Sequence, residues 1–269
     1  MSKNTTPDGE TTEGVADGAD LVLVTVNPIE TEELKKALIA AVGKPWRVYG
    51  KINTYSIYPT IGDTTVATVR SSIGSRGASG ASLTVYDAVD ELRPWGVVAV
   101  GIAFGFDEAR QPIGQLLLSA QLTDYEMRRA GTSGRGTRLD VHRGPTNDAP
   151  PRLLGRFRDG GLDDDLAMDV KAGEMLTGDK LVDNLNFRDA LRAEFPEAIG
   201  GEMEGAGVQA AAHRQGTEWL VAKAVCDYGA NKSEQKSARQ RIAACKSAAA
   251  VVHLLGQGAL RPPGRHKST

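Results

Sequence analysis

A chain of 269 residues, 41% hydrophobic and 25% charged, has ordinary globular make-up and can bury one large core or two small ones, so a single domain is expected. A net charge of -2 lacks the basic field of a dedicated nucleic-acid binder, and two cysteines without a CxxC pair exclude a disulfide framework and fit a reducing cytoplasm. The four histidines are too scattered to suggest a metal site, and no apolar run is long enough to span a bilayer, so neither metal nor membrane is expected.

Residues 1–19, rich in Thr, Gly, Asp and Glu, have no basic n-region, no apolar h-region and no apolar period, and read as a flexible leader. Structure is expected from residue 20. "LVLVTV" (Leu21 to Val26) has the apolar run of a buried strand, and "IETEELKKALIAAV" (Ile29 to Val42) follows with helical spacing. "TTVATVR" predicts a second strand, "GASLTVYDAVDEL" a helix closed by Pro94, and "WGVVAVGIAFG" an apolar strand that runs into glycines. Between Met127 and Asp165 the pattern dissolves into Gly, Arg, Pro and Asp, which suggests a long excursion. "GQLLLSAQL" (Gly114 to Leu122) and "EWLVAKAVC" (Glu218 to Cys226) predict strands, and "RQRIAACKSAAAVVHLL" (Arg239 to Leu255) a closing helix. This alternation predicts one α/β domain over 20–257, a mostly parallel central sheet with helices on both faces, and a flexible tail over 258–269.

In such a sheet ligands bind beyond the carboxyl ends of the strands, where this chain places unusual residues. The first strand exits into "NPIE" with Glu30, the central one into "GIAFG" with Ile102, Ala103 and Phe104, and the last into "CDYG" with Cys226 and Asp227. "IGGEMEGAGVQAAA" confines Glu202 and Glu204, around Met203, to the start of an otherwise small and apolar helix. Each has a structural reading too. Acids suit a helix start such as Glu30's through the helix dipole, and an Asp after a strand suits an Asx turn. Glycines suit close packing, Cys226 suits a small core position with no histidine nearby in sequence to activate it, and Met203 suits core filling.

The ordered set "NPIE", "SSIGS", "VGIAFGFDE", "TGDKLVDN", "GGEMEGAG" and "AKAVCDYG" resembles the nucleoside phosphorylase/nucleosidase superfamily from about Leu21 to Leu255. It is most similar to the nucleosidase branch typified by methylthioadenosine/S-adenosylhomocysteine nucleosidases. The run from "GEMLTGDKLVDN" to "CDYG" also resembles nucleosidase-type domains that act as effectors in bacterial antiphage systems and NLR-like proteins. The resemblance implies that Glu204 accepts hydrogen bonds from the ribose hydroxyls, that Met203 packs against the sugar, and that Glu202 holds the sugar-binding segment or touches the ligand. Two adjacent hydroxyls suit one carboxylate, which fixes the anomeric carbon against its attacker. It implies Asp227 as general acid to the departing purine and Glu30 as the acid that binds the attacking water. Leu181 and Val182 would meet the purine, and Phe104 its pocket. The family brings no cofactor and favours a homo-oligomer built on dimers.

Departures from the family set further expectations. Ala99 stands where phosphorylases present a phosphate-binding Arg, so water is the expected nucleophile. Gly114-Gln115 replaces the usual Gly-Asp, and Cys226 replaces the usual Ser before the acid, which puts one structural and one orienting hydrogen bond in doubt. The segment "YGANKSEQKSAR" carries Lys232, Lys236 and Arg239 where methylthioadenosine nucleosidases have an aromatic residue, and the excursion adds Arg128, Arg129, Arg135 and Arg138. Cations of this kind suit phosphate, although Glu234 and Asp140 are placed to neutralise some of them. The expected function is hydrolysis of the adenine–ribose bond of an adenine nucleotide such as ATP, in a defence effector. A methylthioadenosine/S-adenosylhomocysteine nucleosidase, a purine nucleoside phosphorylase and a non-catalytic nucleotide sensor stay open. A nicotinamide oxidoreductase is disfavoured because the first strand lacks GxGxxG.

Overall fold

The computed structural model describes residues 3–5, 11–13, 18–132, 134, 136, 138–230 and 236–264, with the backbone alone at 3–5, 11–13, 138 and 139. In chain order the elements are β1 (Lys3–Thr5), β2 (Thr11–Glu13), β3 (Leu21–Thr25), α1 (Pro28–Val42), β4 (Trp46–Tyr49), β5 (Thr54–Ile61), β6 (Thr64–Arg70), α2 (Ala81–Leu92) and β7 (Gly96–Gly105). They continue with β8 (Leu116–Asp124), β9 (Arg128–Thr132), β10 (Arg138–His142), β11 (Thr146–Asp148), α3 (Pro151–Arg158), α4 (Leu162–Leu166) and β12 (Val170–Thr177). The last are α5 (Leu185–Glu194), β13 (Ala198–Glu202), α6 (Gly205–Arg214), β14 (Glu218–Asp227) and α7 (Lys236–Gly256).

The α/β class is as expected, but the sheet is mixed and partly closed rather than mostly parallel. β3 lies parallel between β6 and β7, and β14 lies parallel to β7. β8 then pairs antiparallel with β14 and parallel with β12, β12 pairs parallel with β13, and β13 returns antiparallel to β7. These five strands form a ring. β7 makes the closure possible by changing partners: its Gly96–Ala99 half lies on β3, and Phe104 and Gly105 lie on β13. Closure removes exposed sheet edges and buries both faces of the central strands, which explains their near-continuous apolar runs. All five residues of β3 are buried, as are the aliphatic residues of β14, Val97–Val100 of β7 and Leu116–Leu118 of β8. Each fully buried Val or Leu among them contributes about 1.5–3 kcal/mol.

On the other side of β6 the sheet continues antiparallel through β5 and β4, and β1 and β2 add to β4 within the segment expected as leader. The excursion holds the β9–β10 hairpin, the short β11 on β8, and α3. Beyond residue 257, Leu260 is buried in the main core and the Arg261 carbonyl accepts a hydrogen bond from Arg156. Among the described residues no helix is long and apolar enough to cross a membrane.

Candidate active site

The carboxyl ends of β3, β7, β13 and β14 converge on one cavity of about 440 Å³. Glu30, Ile102, Ala103, Phe104, Leu181, Val182, Glu202, Met203, Glu204, Cys226 and Asp227 all line it, so the structure gathers these sequence-selected residues in one place. Lys232 lies outside the described residues.

Glu30 satisfies both of its readings. As the third residue of α1 it completes a capping box with Asn27, accepting from the Asn27 N–H at 3.1 Å while its own N–H donates to Asn27 Oδ1. The same carboxylate accepts the Val26 N–H at 2.8 Å and reaches across to the Ile102 N–H at 2.9 Å. That reach requires glycine at 101, because a β-carbon there would collide with the carboxylate. Burial pushes the Glu30 carboxyl above the ordinary carboxylate range; Lys223 opposes the shift, Glu204 adds to it, and the backbone donors at Ile102 and Val26 oppose it.

The two acids that flank Met203 prove to have different surroundings. β13 ends at Glu202, and α6 begins after Glu204. Glu202 works as the cap of α6: its carboxylate accepts the N–H groups of Glu204 and Gly205 at 3.0 and 2.9 Å. Thr177 Oγ1 and Ser75 Oγ accept the next two N–H groups, of Ala206 and Gly207. Glu204 instead takes the Gly74 N–H at 2.9 Å on Oε1. Gly74 has φ of +88°, a left-handed conformation that glycine adopts without strain.

Between these acids stands Lys223, 1% exposed, its ammonium 2.9 Å from Glu202 and 2.6 Å from Glu204. Burial alone would drive off its proton, but Glu202, Glu204 and Glu30 together raise its pKa well above the ordinary lysine value. Burial pushes Glu202 up, and Lys223 more than offsets this and holds it below the usual carboxylate range. Sequence reasoning did not single out Lys223. The available signal was a lysine in the middle of "WLVAKAVC", since a cation on a strand buried on both faces needs buried partners. Ser75 and Asp179 were also missed: Asp179 takes the Ser75 N–H at 2.8 Å, and Ser75 Oγ donates to the Met203 carbonyl, tying "SSIGS" and "TGDK" to the segment that carries Glu204.

Asp227 closes β14 and makes the expected Asx turn, with Oδ1 accepting the Gly229 N–H at 2.9 Å, while it also faces the cavity. The hydrogen bond in doubt at Cys226 exists as a thiol contact: Sγ lies 3.3 Å from Asp227 Oδ2, a weaker donor than a hydroxyl. The one in doubt at Gln115 is made by Nε2, which donates to Asp169 Oδ2 at 2.8 Å. Ala99 is buried in mid-strand, with no side chain to present to an anion. Of the excursion's arginines, Arg128 is paired with Glu194 and lines a separate cavity; Arg135 and the side chain of Arg138 lie outside the described residues. Lys180 and Lys236 line the main cavity. The arrangement sets two carboxylates, Glu30 and Asp227, on one small polar-and-apolar chamber, with a third, Glu204, pinned by a cation. That is a set able to bind vicinal hydroxyls and to move two protons.

The chain is 28% identical over 201 residues to a death domain-containing ATP nucleosidase of Amphimedon queenslandica, covering 68% of this chain and 37% of that protein. It is 26% identical over 264 residues to the ATP nucleosidase Cap17 of Escherichia coli strain KTE188, covering 90% of this chain and 52% of the relative. It is 25% identical to a 5'-methylthioadenosine/S-adenosylhomocysteine nucleosidase of Marinomonas sp., covering 72% and 81%. The chain thus spans about half or less of the ATP nucleosidases it matches. Among solved structures, the methylthioadenosine/S-adenosylhomocysteine nucleosidase of Neisseria meningitidis in complex with methylthio-immucillin-A superposes with a TM-score of 0.72 at 18% identity, covering 88% of this chain and 99% of that one, a likeness of fold. The sequence profile of the Phosphorylase superfamily matches residues 20–256, and the chain belongs to that family.

Proposed function

We propose that this chain is an N-glycosidase that hydrolyses the bond between adenine and ribose in an adenine nucleotide, with ATP as the substrate. The observation that carries the reading is the placement of Glu30, Glu204 and Asp227 around one cavity. Glu204, its charge balanced by Lys223, accepts the ribose 2'- and 3'-hydroxyls and holds the sugar. A water held by Glu30 attacks C1' as the C1'–N9 bond breaks. Glu30 takes the water's proton, Asp227 delivers a proton to N7 of the leaving purine, and the products are neutral adenine and the ribose phosphate. Leu181, Val182 and Phe104 cover the purine, and Met203 the sugar. The names of two relatives support ATP over methylthioadenosine, as do the lysines on the cavity wall. Loss of adenine nucleotides suits an antiviral defence effector better than a salvage enzyme, and a homo-oligomer built on dimers is the assembly we propose. Free adenine, followed by chromatography after incubation with ATP, AMP, adenosine and methylthioadenosine, tests the reading. Highest kcat/KM on methylthioadenosine would replace it with the housekeeping nucleosidase, and binding without adenine release would make the protein a sensor.

Although the family takes its name from phosphorolysis, water is the nucleophile proposed here, because Ala99 offers no anion-binding group. Adenine release is expected at the same rate with and without inorganic phosphate, and a ribose 1-phosphate species among the products would overturn the assignment.

The pH dependence follows from Glu30. It must be ionised to take the water's proton, and burial raises its pKa, so activity should fall as pH drops through a value above the ordinary carboxylate range. A kcat/KM profile whose acid limb sits at or below about 4.5, the usual glutamate region, contradicts the role given to Glu30.

A further inference from the structure

In the proposed complex the purine, the ribose hydroxyls and the anomeric carbon take up three sides of the cavity. With the purine on Asp227 and Val182, the hydroxyls on Glu204 and the anomeric carbon at Glu30, the remaining wall for the 5' end is built by the starts of α1 and α7. Pro28 and Ile29 come from the first, Lys236 and Gln240 from the second. Arg241 on α7 is ion-paired with Glu32 and Glu33 on α1, so the two helices meet along this wall. Lys236 and Gln240 lie four residues apart on α7 and therefore share the helix face that looks into the cavity.

The two lysines on the cavity wall differ in their partners. Lys180 has its ammonium 2.6 Å from Glu126, whereas Lys236 has no ion-pair partner among the described residues. A neutral alkylthio group gains nothing from an ammonium and an amide, and its burial would cost their hydration. A phosphate gains a charge-assisted hydrogen bond from each donor.

Resting on the glycosidase reading, we propose that Lys236 and Gln240 form the subsite for the substrate's 5'-phosphate and are the residues that set the preference for nucleotide over nucleoside. Lys236 supplies the ion pair and the Gln240 amide a second donor.

The test compares wild type, Lys236→Ala, Lys236→Arg and Lys232→Ala on ATP and adenosine by kcat/KM, with binding of both ligands to each protein by calorimetry. The expected result is that Lys236→Ala lowers the ATP-to-adenosine ratio about tenfold or more, the loss of one charged hydrogen bond, that Lys236→Arg restores most of it, and that Lys232→Ala does not match the loss. No change in the ratio for Lys236→Ala, or a larger change for Lys232→Ala, overturns the subsite. Failure of the underlying reading looks different: no adenine is released from either ligand, while ATP binding still depends on Lys236. Adenosine cleaved as well as ATP by wild type sinks the subsite and leaves the glycosidase standing.

Discussion

Asp227→Asn should release adenine about 10²–10⁴-fold more slowly than wild type, the range expected for loss of one general acid, with its thermal stability and substrate affinity retained. The retention follows from geometry. Oδ1 of Asp227 accepts the Gly229 N–H that forms the turn after β14, and an asparagine carbonyl accepts that bond equally well. What the amide cannot do is give a proton to N7, so adenine would have to depart as an anion. The measurement is single-turnover adenine release beside calorimetric binding of the same nucleotide. Turnover above about a tenth of wild type would remove Asp227 from the acid role, since a lost proton donor costs at least about a hundredfold. Lost binding would instead mean that Asp227 serves mainly to hold the purine.

The positions that sequence reasoning found are those at strand ends and helix starts, where a polar residue interrupts an apolar run. Glu30, Asp227 and the Glu202–Glu204 pair are all of this kind, and all line the cavity. Their division of labour was not legible, because it depends on partners distant in sequence. Glu202 and Glu204 are two residues apart, yet the first is consumed by α6's N-terminus and Lys223, and the second takes Gly74, 130 residues away. The sheet shows the same limit. The apolar runs of β7, β8 and β14 predict strands buried on both faces, and this is what the structure has. Periodicity carries no information on which neighbour a strand takes or in which direction, so the antiparallel closures of β13 on β7 and β8 on β14 could not be read from it. β5 escaped notice because "TYSIYPTI" carries Pro59 and mixes buried with exposed positions. β12 and β13 escaped because glycines dilute their apolar pattern, although glycine at 200 and 201 is what lets β13 lie close to Phe104.

Lys223→Met is expected to be the most destabilising single change in the site. The lysine is buried with two carboxylates in contact and a third nearby, and all three stay buried when the cation is removed. Breaking a buried ion pair by deleting one partner costs about 3–5 kcal/mol, because the abandoned charge is neither solvated nor paired. For a chain of this length that is a fall in Tm of about 10 °C. The surviving protein would also be altered chemically. Lys223 is the largest of the influences that oppose the upward shift of Glu30, so its removal should move the acid limb of activity further towards neutral pH. Ribose affinity should fall as well, since Glu204 loses the ammonium that orients it. Lys223→Arg separates these effects from simple unfolding: it keeps the charge, and should keep most of the stability while perturbing the contact geometry with Glu204. Thermal melts of both variants beside a kcat/KM pH profile check the argument. A Lys223→Met protein that melts within about 2 °C of wild type would show that the carboxylates do not depend on the lysine, because a lost buried pair cannot be that mild. An unmoved acid limb in folded Lys223→Met would show that Glu30 does not sense the lysine, whereas Lys223→Arg, which keeps the charge, should leave the limb near its wild-type position.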